Sequence, residues 1–280
     1  MDLPQLFING ILLGSVYAII GLGMTIIFGI VGLTNLAHGE FVVLGAYAST
    51  LLALRFGVDP ILTLIITVPL MFLAGYLLQR VLVSPAMKMG GEPALLVMFA
   101  LSIILKDAML LVFSADAKHA SVPYGNSTLH LGAVDVPLLN IVLFAIGLVT
   151  VLILTLFLKK TYIGRAIRAV SDDKNVASLS GINVKQIYAV AMGIAMACSA
   201  IAGLCVGMKW TFYPSSGGEY LLTAFIVAVI GGMDSIPGTL LAGLGFGLAQ
   251  VIGGANYGLL ISYIVMLIVL AVRRGDSTWQ

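Results

Sequence analysis

The chain has 280 residues, of which 60% are hydrophobic and 9% are charged, and its formal net charge is +2. A soluble protein carries roughly a quarter charged residues because its surface faces water, so this composition excludes an ordinary soluble domain. The near balance of 14 Lys and Arg with 12 Asp and Glu excludes a basic surface for nucleic acid. We therefore expect an all-α polytopic membrane protein that forms one domain over residues 1–280.

Apolar runs of the length that crosses a bilayer, about 20 residues, follow one another along the chain. They predict eight or nine transmembrane helices, near residues 5–30, 38–54, 60–80, 94–114, 138–158, 187–210, 219–233, 237–253 and 257–272. The runs at 38–54 and 237–253 are short and rich in glycine, so each is compatible with a re-entrant segment as well as with a span.

Lys and Arg residues are concentrated in three regions outside the apolar runs. The loop at 80–93, the segment 159–185 and the C-terminal residues from Arg273 hold 10 of the 14. Cytoplasmic loops carry an excess of Lys and Arg, so these regions are expected in the cytoplasm and the N-terminus outside. Residues 115–137 then form a solvated periplasmic loop, for which we predict no metal site although it contains two histidines.

The cytoplasmic segment 159–186 has the pattern of two short helices. Gly164 opens the first helix, and Ser171-Asp172-Asp173 interrupts it with residues typical of an N-cap. The second helix passes through Val176-Ala177 and stops at Gly181, a residue typical of a C-cap. The pattern alone fits both an interfacial helix pair on the membrane and a docking element for a cytoplasmic partner.

Polar residues interrupt the apolar sequence between the first two runs. A charged side chain at the bilayer centre costs at least about 2.5–3.5 kcal/mol, so we expect a helix break near 32–40 that faces protein or a water-filled cavity. The candidates for a polar lining or gate are Asn35, His38, Glu40, Thr25 and Tyr47. Lys106 lies in the outer part of a span, where snorkelling of its side chain accounts for it.

The segment 231–239, with the sequence GGMDSIPGT, interrupts a late apolar run in a similar way. Alignment of Gly232-Met233-Asp234-Ser235 with Gly32-Leu33-Thr34-Asn35 hints at an internal repeat. Paired broken helices in the two halves of a chain are typical of a translocation path, which adds Asp234 and Ser235 to the candidates. A tight cytoplasmic turn between two helices is the alternative interpretation of this segment.

Three blocks of sequence together resemble one protein family. They are NGILLGSVYAIIGLGMTIIFGIVGLTNLAHGEF near the N-terminus, IGRAIRAVSDD followed by ASLSGINV in the cytoplasmic segment, and the late AVIGGMDSIPGTLLAG. These blocks are similar to those of H-type permeases of branched-chain amino-acid ABC transporters, and urea and amide permeases share them. The resemblance covers nearly the whole chain, but the C-terminal RRGDSTWQ departs from the Arg-Pro-x-Gly tail of the family.

The resemblance implies a multi-pass subunit of a bacterial inner-membrane importer for leucine, isoleucine and valine. A urea, amide or other small-solute ABC permease is the alternative. The implied partners are a second related permease, two ATP-binding subunits and a periplasmic solute-binding protein. The cytoplasmic segment is then the ATPase-coupling element, carried by Gly164, Arg165, Ala166, Arg168, Ala169, Asp172, Ala177, Gly181 and Ile182.

The sequence contains no GxxxxGK[ST] motif for binding nucleotide phosphates. We therefore expect ATP to be bound and hydrolysed by partner subunits, and this chain to be a transporter subunit without enzymatic activity, cofactor or metal. Broken helices and a His and a Glu within the membrane also suit proton coupling, so a secondary transporter that works alone remains a less favoured alternative.

Overall fold

The computed structural model describes residues 3–131 and 134–273, and within them the chain is almost entirely helical. The helices are α1 (Leu3–Val31), α2 (His38–Phe56), α3 (Leu64–Leu78), α4 (Ser84–Met87), α5 (Gly91–Phe113), α6 (Leu138–Lys160), α7 (Tyr162–Asp172), α8 (Lys174–Leu179), α9 (Val184–Lys209), α10 (Gly217–Gly231) and α11 (Ile236–Arg273). Short 3-10 helices at Pro60–Thr63 and Pro214–Ser216 precede α3 and α10, and a π-helical turn at Gln79–Val83 joins α3 to α4. The predicted all-α class is confirmed.

Seven helices among the described residues are long and apolar enough to cross a membrane. They are Leu3–Val31, His38–Phe56, Pro60–Met87, Gly91–Phe113, Leu138–Lys160, Val184–Lys209 and Ile236–Gly254. The two glycine-rich runs, 38–54 and 237–253, thus both form helices of 19 residues. The predicted count of eight or nine is reached only by adding two shorter helices, the 15-residue α10 and the apolar segment Leu260–Val269 beyond a kink in α11.

Helix α1 lies at the centre of the bundle and packs antiparallel to the first half of α11. A Cβ atom built on Gly243 would lie 2.5 Å from the backbone nitrogen of Ala18, and one built on Gly14 would lie 2.5 Å from the Cα of Leu244. Helices in membranes associate through close packing of small residues because lipid gives little hydrophobic driving force. The small residues of these two helices therefore allow their backbones to touch along most of their length.

The end of the bundle where α1 terminates carries most of the basic residues. There the Ser171 hydroxyl donates a hydrogen bond to the Gly29 carbonyl, and Arg80 and Lys185 line a common cavity. We call this the basic end, because its segments carry Arg80, Lys88, Lys159, Lys160, Arg165, Arg168, Lys174 and Lys185. The structure thus brings together the regions 80–93 and 159–185, and the positive-inside rule assigns them to the cytoplasm. Residues 274–280, with the atypical tail, lie outside the described residues.

The opposite end, which we call the loop end, contains the connection between α5 and α6. Lys118 and Phe212 exchange two backbone hydrogen bonds of 2.8 and 2.9 Å, which fasten this connection to the end of α9. Strands β1 (Thr128–Leu131) and β2 (Val134–Pro137) form an antiparallel hairpin. The sequence predicted a solvated loop without strands here, because strands of four residues do not stand out from the turn residues around them.

Candidate translocation site and coupling region

The first helix break separates α1 from α2. Gly32 has a φ of 69°, a left-handed conformation that glycine adopts readily, and residues 32–37 after α1 are not helical. The side-chain oxygen Oδ1 of Asn35 accepts a hydrogen bond of 3.0 Å from the backbone of Ala37, and the carbonyl of Asn35 accepts one of 3.1 Å from the backbone of His38. Asn35 therefore shapes the turn that starts α2.

His38 places the start of α2 inside the bundle. Its Nε2 atom lies 2.9 Å from the carbonyl oxygen of Ile20, which precedes the last residue of α1 by 11 positions, or about 17 Å along a helix axis. A carbonyl only accepts hydrogen bonds, so Nε2 carries the proton and Nδ1 is left as an acceptor, 3.4 Å from the Ser199 hydroxyl of α9. His38 thus links α2 to both α1 and α9, and both of its ring nitrogens have a neighbour.

Glu40 lies where the N-termini of α2 and α10 meet. A Cβ atom built on Gly39 would overlap the carbonyl of Gly217, and one built on Gly217 would lie 2.9 Å from the Glu40 carboxyl. The N-terminus of a helix carries a partial positive charge, so two such ends favour a carboxylate between them. Ser102 and Lys106 of α5 also interact with this carboxyl. Lys106 therefore interacts with Glu40, a role that the snorkelling interpretation did not include.

Three of the predicted lining residues hold a buried polar atom without a hydrogen-bond partner among the described residues. These atoms are Nδ2 of Asn35, Oε2 of Glu40 and the hydroxyl of Tyr47. The Tyr47 ring is held between Phe113, with centroids 4.3 Å apart, and Phe212, with centroids 4.9 Å apart. A buried polar group without a partner costs about 1–3 kcal/mol, so the first break keeps unused hydrogen-bonding capacity at a cost in stability.

The second break, between α10 and α11, is a tight turn. Gly232 has a φ of 92°, the backbone nitrogen of Ser235 donates to the Gly232 carbonyl over 3.0 Å, and the Ser235 hydroxyl accepts from the nitrogen of Gly238 over 3.1 Å. Asp234 is exposed at the basic end beside Gly29. Gly29 lies nine positions beyond Ile20, the residue of α1 that binds His38, which is about 13 Å along the helix axis. Asp234 and Ser235 therefore lie apart from His38.

Thr25 links α1 to the second break. Its hydroxyl lies 2.8 Å from that of Thr239 in α11, and Thr239 donates a bond of 2.9 Å to the Ser235 carbonyl. Because Thr239 uses its own proton in that bond, Thr25 is the donor between the two hydroxyls. A continuous pair of hydrogen bonds therefore runs from the middle of α1 to the turn at the basic end.

The predicted coupling segment forms two helices, and the first begins at Tyr162, two residues before the predicted start at Gly164. The Thr161 hydroxyl accepts a bond of 2.9 Å from the nitrogen of Gly164 at the start of α7. Asp173 accepts bonds of 2.7 and 3.1 Å from the nitrogens of Asn175 and Val176 at the start of α8. Gly181, with a φ of 84°, follows α8 in a left-handed conformation. Local sequence signals therefore define both helices.

The two faces of this helix pair differ. The buried residues pack against the ends of α1 and α6 and the start of α9, and from the predicted set they are Gly164, Ala166 and Ala177. Arg165, Arg168 and Asp172 are exposed, and so are Val176 and Leu179, whose exposed fractions are 58% and 89%. Ala169 and Ile182 are half-buried between the two faces. An exposed face with both apolar and basic side chains is suited to a protein partner.

Comparison with known proteins identifies a family and relatives of this chain. Residues 6–270 match the family described as "Branched-chain amino acid transport system / permease component". The chain belongs to this permease family. The high-affinity branched-chain amino acid transport system permease protein BraD of Pseudomonas aeruginosa is 33% identical over 96% of this chain and 93% of the relative. The protein LivH of Escherichia coli K12, which bears the same description, is 30% identical over the same shares, and LivM of that organism is 24% identical over 83% and 60%.

The family and the location in a membrane, both predicted from sequence, are thereby confirmed. The permease is a multi-pass membrane protein, and its relatives are transport permeases that belong to larger transport systems. Within this permease, the deep polar cluster consists of Asn35, His38 and Glu40 together with two residues that sequence reasoning did not select, Ser199 and Lys106. Both are polar residues in long apolar helices, and this is the signal in the sequence that points to them. Tyr47 lies apart from the cluster, nine positions beyond His38 on α2, about 13 Å along the axis.

Proposed function

We propose that the permease is the membrane-spanning subunit of an ATP-driven importer that moves leucine, isoleucine and valine into the cell. The observation that carries this proposal is the near full-length similarity to permeases named for branched-chain amino acids. The deep polar cluster supports it, because a transported solute needs polar groups that the resting protein leaves unpaired. Other small solutes, such as urea and amides, are the competing substrates.

The first break supplies the translocation path in this proposal. Glu40 offers an acceptor oxygen and Asn35 an amide donor, which match the ammonium and carboxylate groups of a zwitterionic amino acid. His38 positions the start of α2, Tyr47 lies farther along α2 toward the loop end, and Thr25 connects α1 to the second break. We assign Asp234 and Ser235 to the cytoplasmic mouth of the path.

ATP binding and hydrolysis belong to two partner subunits in this proposal, and the chain itself holds no cofactor. The exposed face of α7 and α8 is their docking surface. Movement of α7 reaches the path through the hydrogen bond from Ser171 to Gly29, because Gly29 lies on the same helix as the carbonyl that binds His38. The permease then needs only a difference in solute affinity between its outward and inward states.

A second, related permease and a periplasmic binding protein complete the proposed importer. The similarity to LivM as well as to LivH supports a pair of related permeases. The binding protein delivers the solute at the loop end, opposite the ATP-binding subunits.

Uptake of radiolabelled leucine tests the substrate and the energy source. The permease is expressed with the subunits of its transport system in a host that lacks leucine uptake. We expect uptake that excess isoleucine or valine blocks, that urea and acetamide do not block, and that requires a functional ATP-binding subunit. Competition by urea or an amide instead would show that the permease transports one of these solutes. Uptake by the permease alone that a protonophore abolishes would replace the proposal by a proton-coupled transporter.

The coupling surface has its own test in Arg168→Glu. Arg168 is exposed on α7, so the substitution leaves the helix packing intact but reverses the charge that faces the proposed partner. We expect normal amounts of the variant in the membrane, loss of the ATP-binding subunits during purification, and no leucine uptake. Arg55→Glu, an exposed substitution at the loop end, serves as the control. Normal uptake by Arg168→Glu would remove α7 from the docking surface.

A further inference from the structure

A cavity of about 490 Å³ opens at the basic end between two walls. One wall is formed by the end of α3, the π-helical turn and α4, and the other by the first turn of α9. Its polar lining residues are Tyr76, Arg80, Ser84, Lys88, Asn183, Lys185 and Gln186. This cavity lies apart from the deep polar cluster and has no part in the path proposed above.

The lining of this cavity has an unbalanced positive charge. Arg80, Lys88 and Lys185 are all exposed, and among the residues that the structure describes no acidic side chain lines the cavity and none of these three cations forms an ion pair. The guanidinium of Arg80 donates to the Tyr76 hydroxyl over 3.3 Å, which holds it toward the wall. The N-terminus of the 26-residue helix α9 adds a partial positive charge to the other wall. Such a site is complementary to an anion.

The backbone at this cavity departs from regular α-helix. The nitrogen of Ser84 donates to the carbonyl of Gln79, five residues earlier, and Pro85 follows directly. Single π-helical turns are frequent at functional sites. Here the wider turn lies in the wall that carries Arg80 and Lys88, so it contributes to the shape of the cavity.

The surface next to the cavity indicates which anion it receives. On α3 and the π-helical turn, Leu73, Leu77, Val81 and Leu82 have exposed fractions of 52%, 48%, 64% and 45%. Apolar side chains exposed on a spanning helix face acyl chains, and the basic end lies at the cytoplasmic leaflet by the positive-inside rule. A ligand at this position is therefore expected to combine an anionic head with an apolar tail, and basic pockets between helices on the cytoplasmic side are typical binding places for anionic headgroups.

We propose that this cavity binds the phosphate headgroup of an anionic phospholipid from the cytoplasmic leaflet. The phosphate lies among Arg80, Lys88 and Lys185, with the Ser84 hydroxyl as a further donor. The acyl chains follow the exposed apolar surface of α3. The lipid thereby joins α3 and α4 to the start of α9, next to the coupling helices.

Native mass spectrometry of the purified transporter complex tests this proposal. The complex is reconstituted with equal amounts of phosphatidylglycerol and phosphatidylcholine, and the lipids that stay bound are counted. Wild type is expected to retain phosphatidylglycerol preferentially. Each basic residue near an anionic lipid contributes about fivefold to binding, so the triple variant Arg80→Gln, Lys88→Gln, Lys185→Gln is expected to lose at least about tenfold of this retention.

Two control variants separate the site from general charge. Lys88→Arg with Lys185→Arg keeps the charge and is expected to retain the lipid. Arg55→Gln with Lys118→Gln removes two basic residues at the loop end and is expected to change nothing. An unchanged melting temperature of the triple variant shows that its fold is intact, and if that variant does not fold, Arg80→Gln alone is measured and is expected to lose about fivefold.

Three results would overturn the proposal. Equal retention of both lipids by wild type would show that the cavity does not select an anion. Displacement of the lipid by inorganic phosphate alone would make it a site for soluble phosphate. Release of the ATP-binding subunits by the triple variant, without a change in bound lipid, would make the cavity part of a protein interface.

Discussion

The two helix breaks of the permease have similar residues and different positions in the bundle. Each begins with a glycine in a left-handed conformation, Gly32 or Gly232, followed by polar residues. After the first, the chain turns back into the bundle, and α2 starts beside the middle of α1. After the second, the chain turns at the basic end, where Asp234 is exposed to solvent.

This difference shows that depth decides what a polar residue does. At the basic end, water solvates Asp234, and the turn needs no further polar partner. In the interior the side chains are buried, and each polar atom is either paired, as in His38, or left without a partner at a cost, as in Glu40. We propose that a transported solute makes its hydrogen bonds with these unpaired atoms at the first break.

The largest effect is expected from Gly39→Ala. Its Cβ atom would overlap the carbonyl of Gly217, so the N-termini of α2 and α10 are forced apart. We expect a loss of about 3 kcal/mol in the free energy of unfolding, at the upper end of overpacking effects, and no leucine uptake. Thermal unfolding of the purified complex and uptake assays measure both.

Gly218→Ala is the matched control, because a Cβ atom there meets nothing within 4 Å. It should behave as wild type in both assays. Equal losses in the two variants would contradict the close contact between α2 and α10.

Glu40→Gln should have the next largest effect, and chiefly on uptake. The amide has nearly the same shape as the carboxylate, so packing is kept while the charge is lost. A hydrogen bond to a charged group is worth about 1.5–3 kcal/mol, and we expect leucine uptake to fall by about ten- to a hundredfold. The melting temperature should fall only slightly, through loss of the favourable charge interactions with Lys106 and the two helix N-termini. Uptake at the wild-type level would show that Glu40 does not contribute to the translocation path.

His38→Leu should act on stability more than on uptake. The substitution leaves the carbonyl of Ile20 and the hydroxyl of Ser199 without their His38 partner inside the protein. We expect the free energy of unfolding to fall by about 1–3 kcal/mol and uptake to fall by only a few fold at equal protein level. Ser199→Ala, which removes the weaker of the two contacts, should show the same pattern with a smaller shift in melting temperature. A wild-type melting temperature for His38→Leu would contradict the positioning role.

The smallest effect is expected from Asp234→Asn. Because Asp234 is exposed and lies within a turn held by backbone and Ser235 contacts, we expect less than about a twofold change in uptake and no change in stability, as is usual for surface substitutions. A tenfold loss of uptake would show that the second break contributes a charge to the path, and the contrast between the breaks would fail.

Much of the fold follows from the sequence because each feature has a local cause. Apolar runs gave the span positions to within a few residues, and Gly32, Asp173 and Gly181 mark the helix ends that they predict. The predicted span 219–233 has the 15-residue length of α10 but lies two residues too far along the chain, because the apolar run continues into the tight turn after Gly231.

The partners in the polar cluster could not be found in this way. Ser199 is 161 residues from His38 along the chain, and Lys106 lies on a different helix from Glu40. No local pattern records which helices become neighbours. The depth of each break in the bundle also could not be predicted from the sequence. Glycine-rich polar segments have the same pattern whether they turn inside the bundle or at its end.

Labelling of a single cysteine at position 40 shows whether the first break lies on the translocation path. The variant Glu40→Cys is made with both native cysteines, Cys198 and Cys205, replaced by alanine, and is treated with a small thiol reagent in the complete transporter. We expect labelling that requires ATP turnover and that leucine-loaded binding protein suppresses, while Asp234→Cys labels in every state. A cysteine at position 40 that stays unlabelled throughout turnover, or one whose labelling ignores leucine, would show that the first break is not on the translocation path.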